Sequence, residues 1–441
     1  MTKNEMMISN QLLVLLFIVL PPALAFLYIV SIQCFLAGWH ECSWTYLAKP
    51  ITVRFTLLIV AIAIVATLPT TTTNNEKDDF IKVILPYLFP AIFMTVLSIT
   101  AIYRSKKIFI QGPVPQHKDM TGKVVLITGS NAGIGKETAR QLLKMGATVI
   151  MACRSEKRAK SAIDDILISF NDEKDGQHDN SRLLNSSSKS AKDRLIFLKC
   201  DVSDFKSVRN AVSKFKELKL PLHILVNNAG IMMGQRRTVS GDDKGLELTM
   251  ACNHLGHFLL TNLLLPTMRL QEDSRVIIVT SSTYALATEG IDLKDLNCDK
   301  KRYTMFTQYA QSKLANILMG KELLRREEDF STKNNERNNF SSPVSVFMVH
   351  PGLVRTDVVR NMPWYLKYPN VLFSVILTTL QKTPEAGAYT SVFCASSNEV
   401  KQWNGEYFSN SKVMPTNQHA SDATASKDLW KLSENLVGLN K

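Results

Sequence analysis

Tyr309 and Lys313, in the run Tyr309-Ala-Gln-Ser-Lys313, stand four residues apart and so share one face of a helix. An ammonium beside a phenol favours phenolate by opposite charge, bringing a group with an ordinary pKa of about 10 toward acid–base work at neutral pH. The spacing alone is weak, because most such pairs are ordinary helix-surface residues. Its weight comes from what precedes it in the chain: Thr128-Gly-Ser-Asn-Ala-Gly-Ile-Gly135 and then Asn227-Asn-Ala-Gly230.

Lys123-Val-Val-Leu-Ile-Thr128 reads as a buried first strand, and a helix is expected to open at about Ile134. Gly129, Gly133 and Gly135 permit a tight turn and close backbone approach, with Ser130, Asn131 and Ile134 completing the cradle. A pyrophosphate would sit on that helix N-terminus, where free N–H groups and the helix dipole favour anions. At the second strand's tip an acidic residue would suit a ribose 2′-hydroxyl and a basic one a 2′-phosphate. The chain has Met151-Ala-Cys-Arg154 there, followed by Lys157 and Arg158. Arg154 therefore favours NADP(H), with NAD(H) the alternative; an exposed residue at a helix start is its bland reading.

The order of these motifs resembles the short-chain dehydrogenase/reductase superfamily, which couples such a Tyr/Lys pair to a nicotinamide. The likeness spans residues 122–438. Its run Asn253-His-Leu-Gly-His-Phe-Leu-Leu-Thr-Asn-Leu-Leu-Leu265 is similar to the branch of retinol dehydrogenases, WW-domain oxidoreductase and X-linked dehydrogenase/reductase. Leu218-Lys-Leu-Pro-Leu-His-Ile-Leu225 and Lys382-Thr-Pro-Glu-Ala-Gly-Ala388 resemble the X-linked member. The resemblance implies catalytic roles for Tyr309, Lys313, Ser282 and Asn253. Ser282 would bind the substrate oxygen, with Ser281 the alternative of the pair, and Asn253 would hold a water linking the lysine to solvent. It also implies cofactor contacts from Asn228, Ala229 and Gly230, from Tyr309 and Lys313, and from Pro351 and Gly352 in a loop closing over the nicotinamide. Asp201 would touch adenine, although a helix N-cap is an equal reading.

The elements that must position these residues follow from the pattern. Short β-rich runs at 124–128, 148–152, 194–198, 222–226, 275–280 and 344–349 alternate with helical stretches. The fold class is α/β: a Rossmann-type doubly wound parallel sheet with helices on both faces, preceded by an N-terminal transmembrane helical region. Asn171–Asp193 and Asp329–Ser342 are polar enough to be surface insertions. The apolar stretch from Pro363 to Leu380 reads either as a core helix or as a lid for a greasy substrate.

The chain divides into a membrane anchor region, residues 1–110, and a catalytic domain, residues 111–441. Gln11 to Ile32, Ile51 to Pro69 and Val83 to Tyr103 are apolar and long enough for about three spans. Relatives usually carry one anchor, so this region departs from the family pattern. Arg104, Lys106 and Lys107 after the third stretch put the catalytic domain on the cytosolic side; the expected membrane is that of the endoplasmic reticulum or another lipid-rich organelle. The net charge of +13 fits a basic surface near anionic headgroups and offers no zinc spacing or basic helix for nucleic acid. Seven scattered cysteines without a C-x-x-C pair suggest small buried hydrophobes, and His254 and His257 lack a third partner, so no metal is assigned. The expected function is a membrane-bound NADP(H)-dependent oxidoreductase interconverting a lipophilic alcohol and its aldehyde or ketone. Its partners would be that substrate and membrane lipid, with homo-oligomers compatible. Competing readings are a catalytically silent nucleotide-binding sensor or scaffold, and a channel with an appended domain.

Overall fold

The computed structural model describes residues 111–175, 190–239, 245–335, 342–354 and 381–440. The three expected spans and the apolar stretch from Trp364 to Leu380 lie outside them. Among the described residues no helix is long and apolar enough to cross a membrane.

The catalytic region alternates strand and helix from its first element. β1 (Val124–Thr128) leads to α1 (Gly133–Lys144), β2 (Thr148–Cys153) to α2 (Glu156–Asp175), and β3 (Leu195–Lys199) to α3 (Phe205–Glu217). After β4 (Ile224–Asn227) come a short helix (Leu248–Met250), a π-helical turn (Ala251–Leu255) and α4 (Gly256–Met268). β5 (Arg275–Val279) precedes α5 (Met305–Asn335), and β6 (Ser345–His350) precedes α6 (Pro384–Ser396). A hairpin of β7 (Tyr407–Ser409) and β8 (Lys412–Val413), then α7 (Ala423–Val437), follow.

The sheet order is β3-β2-β1-β4-β5-β6-β7-β8, parallel throughout except for β7 with β8. The winding reverses between β1 and β4, and the crevice beyond the C-terminal ends of those strands is where an open α/β sheet takes its ligand. Every residue of β1, β4 and β5 is buried, as a parallel sheet covered on both faces requires. Alternate residues feed opposite cores. Val124 and Leu126 join Phe215, Phe258, Leu314 and Trp430, whereas Val125 and Ile127 join Leu142, Met151, Phe347 and Phe408.

Two expectations need correction. The polar run from Asn171 begins as the end of α2, and the run from Asp329 continues α5 to Asn335. In α5 the charges stabilise the helix instead of interrupting it: Arg325 bridges Asp329 at 2.6 Å and Glu322 at 2.8 Å, on neighbouring turns. The β7–β8 hairpin was not anticipated, because strands of three and two residues fall below the length at which alternation can be read.

Candidate active site

The cradle after β1 is built by glycine. Gly129 has φ +66° and its N–H donates to Ala152 O at 2.9 Å, turning the chain sharply at the sheet edge. A Cβ there would meet Ala229 Cα at 3.0 Å, and one at Gly135 would lie 2.7 Å from Gly129 O. Side chains are therefore excluded by the loop after β4 closing on the turn. Gly133 opens α1 with φ +55°. Ala132 supplies no side-chain cap and the first turn has no acidic residue, so the helix N-terminus keeps its donors and positive dipole end for an anion. Ser130 is buried and donates to Ile127 O at 3.0 Å, Asn131 presents its backbone to the Cys153 thiol, and Ile134 packs into the core beneath.

Thr128 ties this cradle to the Asn227–Gly230 loop. Its Oγ1 accepts the N–H groups of Asn228 (2.9 Å) and Ala229 (3.0 Å), and Asn228 Nδ2 donates to Thr128 O at 2.8 Å. Across the strand tips, Arg154 is exposed and lies 3.7 Å from Asp201 through Nε and Oδ2. Asp201 Oδ1 accepts Ser203 N–H at 3.0 Å and Ser203 Oγ at 2.7 Å, while the α3 N-cap is Asp204, which takes Lys206 N–H at 2.9 Å and Ser207 N–H at 3.2 Å. Asp201 therefore does not cap the helix.

Helix α5 presents Tyr309 and Lys313 on the face turned toward β5. Lys313 is buried, its Nζ donates to Val279 O at 3.1 Å, and it lies 5.5 Å from the centroid of the Tyr309 ring. Burial lowers Lys313 from 10.5 to about 8. Burial also raises the Tyr309 phenol to about 12, with the Ser281 hydroxyl pulling against that rise. The expected depression of Tyr309 by Lys313 does not prevail: desolvation of the phenol outweighs it.

Asn253 sits in the π-helical turn, fully buried. Its Oδ1 accepts Ile231 N–H at 2.8 Å, and its Nδ2 donates to Ile231 O (2.9 Å) and to Ser312 Oγ (3.0 Å). Ser312 Oγ in turn donates to Tyr309 O at 2.7 Å. A Cβ on Gly230 would stand 3.6 Å from both Asn253 Oδ1 and Lys313 Nζ, so the cradle and the Tyr/Lys helix meet at that glycine. Ser281 and Ser282 follow β5; Ser281 bonds the Tyr309 phenol, and Ser282 N–H donates to His350 Nδ1 at 3.3 Å. His350 is half-buried, and its imidazole is held down to about 3 by desolvation and then by Lys382 and Lys313. Pro351 is buried behind it, and Gly352 turns with φ +89°, where a Cβ would meet Lys382 Cε at 2.7 Å.

Tyr309, Lys313, Asn253 and the Ser281–Ser282 pair thus converge at the ends of β4 and β5, beside Gly230. Arg154 and Asp201 stand at the tips of β2 and β3. Sequence reasoning gave no site role to His350, Ser312 or Lys382, each of which has a partner from a distant element. It also weighed His257 only as a metal ligand, although its place four residues after Asn253 is a legible signal.

Residues 123–172 and 175–293 match the short chain dehydrogenase family. Retinol dehydrogenase 14 of Homo sapiens is 36% identical over 331 residues, covering 73% of this chain and 88% of the relative. Retinol dehydrogenase 12 of Mus musculus is 34% identical over 360 residues, covering 82% and 98%. The crystal structure of an uncharacterised protein from Mycobacterium paratuberculosis is 27% identical, with a TM-score of 0.52 over 74% of this chain and 96% of that one. The chain belongs to the short-chain dehydrogenase family, in its retinol dehydrogenase branch. It is an oxidoreductase acting on CH–OH groups.

Proposed function

We propose that the protein is a membrane-anchored, NADP(H)-preferring oxidoreductase that interconverts a lipophilic alcohol and its aldehyde or ketone. The observation that carries the reaction is the meeting of Tyr309, Lys313, Asn253 and the Ser281–Ser282 pair beside Gly230. Nicotinamide, when bound, supplies the hydride chemistry. A serine hydroxyl orients the substrate oxygen, and Tyr309 exchanges the proton. Held protonated by burial, Tyr309 is a donor, the role that carbonyl reduction asks of it. Lys313 supplies positive charge beside the phenol, and Asn253 and Ser312 fix the helix on which both stand.

The cofactor fits the residues present: α1 offers an uncapped, acid-free N-terminus at the switch point of the sheet. Arg154 at the β2 tip supports the 2′-phosphate form. The relatives' names point to retinol, and the apolar N-terminal stretches support a substrate that partitions into lipid, with Arg104, Lys106 and Lys107 favouring a cytosolic catalytic domain. Asn253, Tyr309 and Lys313 are all retained with a serine pair, which argues against a silent sensor. Purified protein should reduce long-chain aldehydes with NADPH, and Tyr309→Phe should cost about a hundredfold to ten-thousandfold in kcat. Unchanged turnover in that variant sinks the mechanism.

A further inference from the structure

His257, on the first turn of α4, is 1% exposed, and nothing in the reaction so far uses it. Its Nδ1 lies 3.0 Å from Asn253 O and its Nε2 2.8 Å from Thr128 Oγ1. A carbonyl only accepts, so Nδ1 carries a proton. Thr128 Oγ1 already accepts Asn228 N–H and Ala229 N–H, which occupies both lone pairs. Its own proton must point outward, and His257 Nε2 at 2.8 Å is far nearer than Val226 O at 3.4 Å.

One arrangement satisfies every group. Asn228 and Ala229 donate to Thr128, Thr128 donates to His257 Nε2, and His257 Nδ1–H donates to the Asn253 carbonyl. A second proton on the ring would face an oxygen with no lone pair left. Burial, aided by the Lys313 charge, holds the imidazole down to about 4, so it stays neutral as the chain of bonds demands. The bonds run from the loop after β4 to the π-helical turn, where regular helical pairing is interrupted. Gly230, at the end of that loop, is also where Asn253 and Lys313 approach. A shift at either end therefore alters the distance between the cofactor cradle and the acid–base pair.

We propose that His257 is a positioning residue for this reaction: through Thr128 it fixes the Asn228–Gly230 loop, through the Asn253 carbonyl it fixes the π-helical turn, and so it sets the register between cradle and catalytic helix. The proposal rests on the functional reading above.

The test uses the full-length protein in lipid nanodiscs, with NADPH and a long-chain aldehyde. His257→Leu removes both bonds, whereas His257→Gln keeps one donor and one acceptor. The Leu variant should lose about tenfold to a hundredfold in kcat, as a small misplacement of reacting groups does. It should also bind NADPH several-fold more weakly, read by nucleotide fluorescence without substrate, and the Gln variant should recover most of both losses. Thr128→Val breaks the same chain at its other end, so combining it with His257→Leu should cost no more than the worse single change. Equal losses for Leu and Gln, or additive losses in the double variant, would overturn the proposal. If His257→Leu does not accumulate folded, Thr128→Val against Thr128→Ser decides, and equal kcat and NADPH affinity for those two refute it. Wild-type protein that binds NADPH but reduces no aldehyde fails the proposed substrate, and the binding comparison still judges His257.

Discussion

Burial drives Tyr309 and Lys313 toward the same state, both neutral, by acting on groups of opposite acid–base sense. For Lys313 the consequence has a sign. Below about pH 8 it is charged in the folded and the unfolded chain, and folding bears the whole desolvation cost. From about 8 to 10.5 the unfolded chain holds more protons than the folded one, so stability rises with pH across that window. Activity that uses the ammonium falls over the same range. Denaturant midpoints and kcat/KM should therefore move in opposite directions between pH 7.5 and 9.5, and Lys313→Met should abolish the rise in midpoint. Arg154 allows a second test at this scale. Charge-assisted bonds to a 2′-phosphate are worth about 1.5–3 kcal/mol, so Arg154→Ala should weaken NADPH roughly tenfold to a hundredfold and leave NADH nearly unchanged. Equal losses for both nucleotides would leave the preference without support. Tyr309, Lys313 and Asn253 were legible because motif and helical spacing place them. The turn of Ser281 toward the phenol was not, since the orientation of adjacent hydroxyls depends on partners from α5 and β6. The pull expected of Lys313 on the phenol is outweighed because no spacing reveals how strongly the phenol is desolvated.

At the scale of elements, the six long strands were readable to within two residues because each is a compact apolar run between polar turns. The π-helical turn carrying Asn253 leaves no such trace, and the end of α5 was hidden because a helix held by surface ion pairs has the composition of a loop. Gly256, where α4 begins, shows how closely these elements pack. A Cβ there would stand 2.7 Å from the Val202 carbonyl carbon and closer still to its oxygen, both backbone atoms that cannot swing aside. Gly256→Ala should push α4 off the segment after β3 and destabilise the domain by several kcal/mol, on the order of other overpacked cores. Thermal unfolding of the variant is the check; a melting temperature within about a degree of wild type would mean the helix can move freely.

At the scale of the whole molecule, the parallel sheet and its winding followed from the alternation of strands and helices, whereas the N-terminal anchors rest on hydropathy alone. If those stretches only tether the enzyme, a chain beginning at Lys106 should fold, bind NADPH and reduce a short soluble aldehyde. Failure to fold would make the N-terminal region part of the catalytic unit. The far end of the chain is tied in more firmly than sequence could tell. Trp430 of α7 packs edge-on against Phe258 at 4.7 Å, Ser433 Oγ meets His254 Nε2 at 3.0 Å, and Arg209 of α3 donates to Val437 O and Gly438 O at 2.9 and 3.1 Å. That clasp sets a timetable for synthesis. The core on this side of the sheet stays unfinished until Val437 and Gly438 have left the ribosome, so nascent chains expose Phe258 and its neighbours until α7 has emerged. Nascent chains stalled a few codons short of α7 should be cut readily by a protease, and chains in which α7 has emerged from the ribosome should resist it.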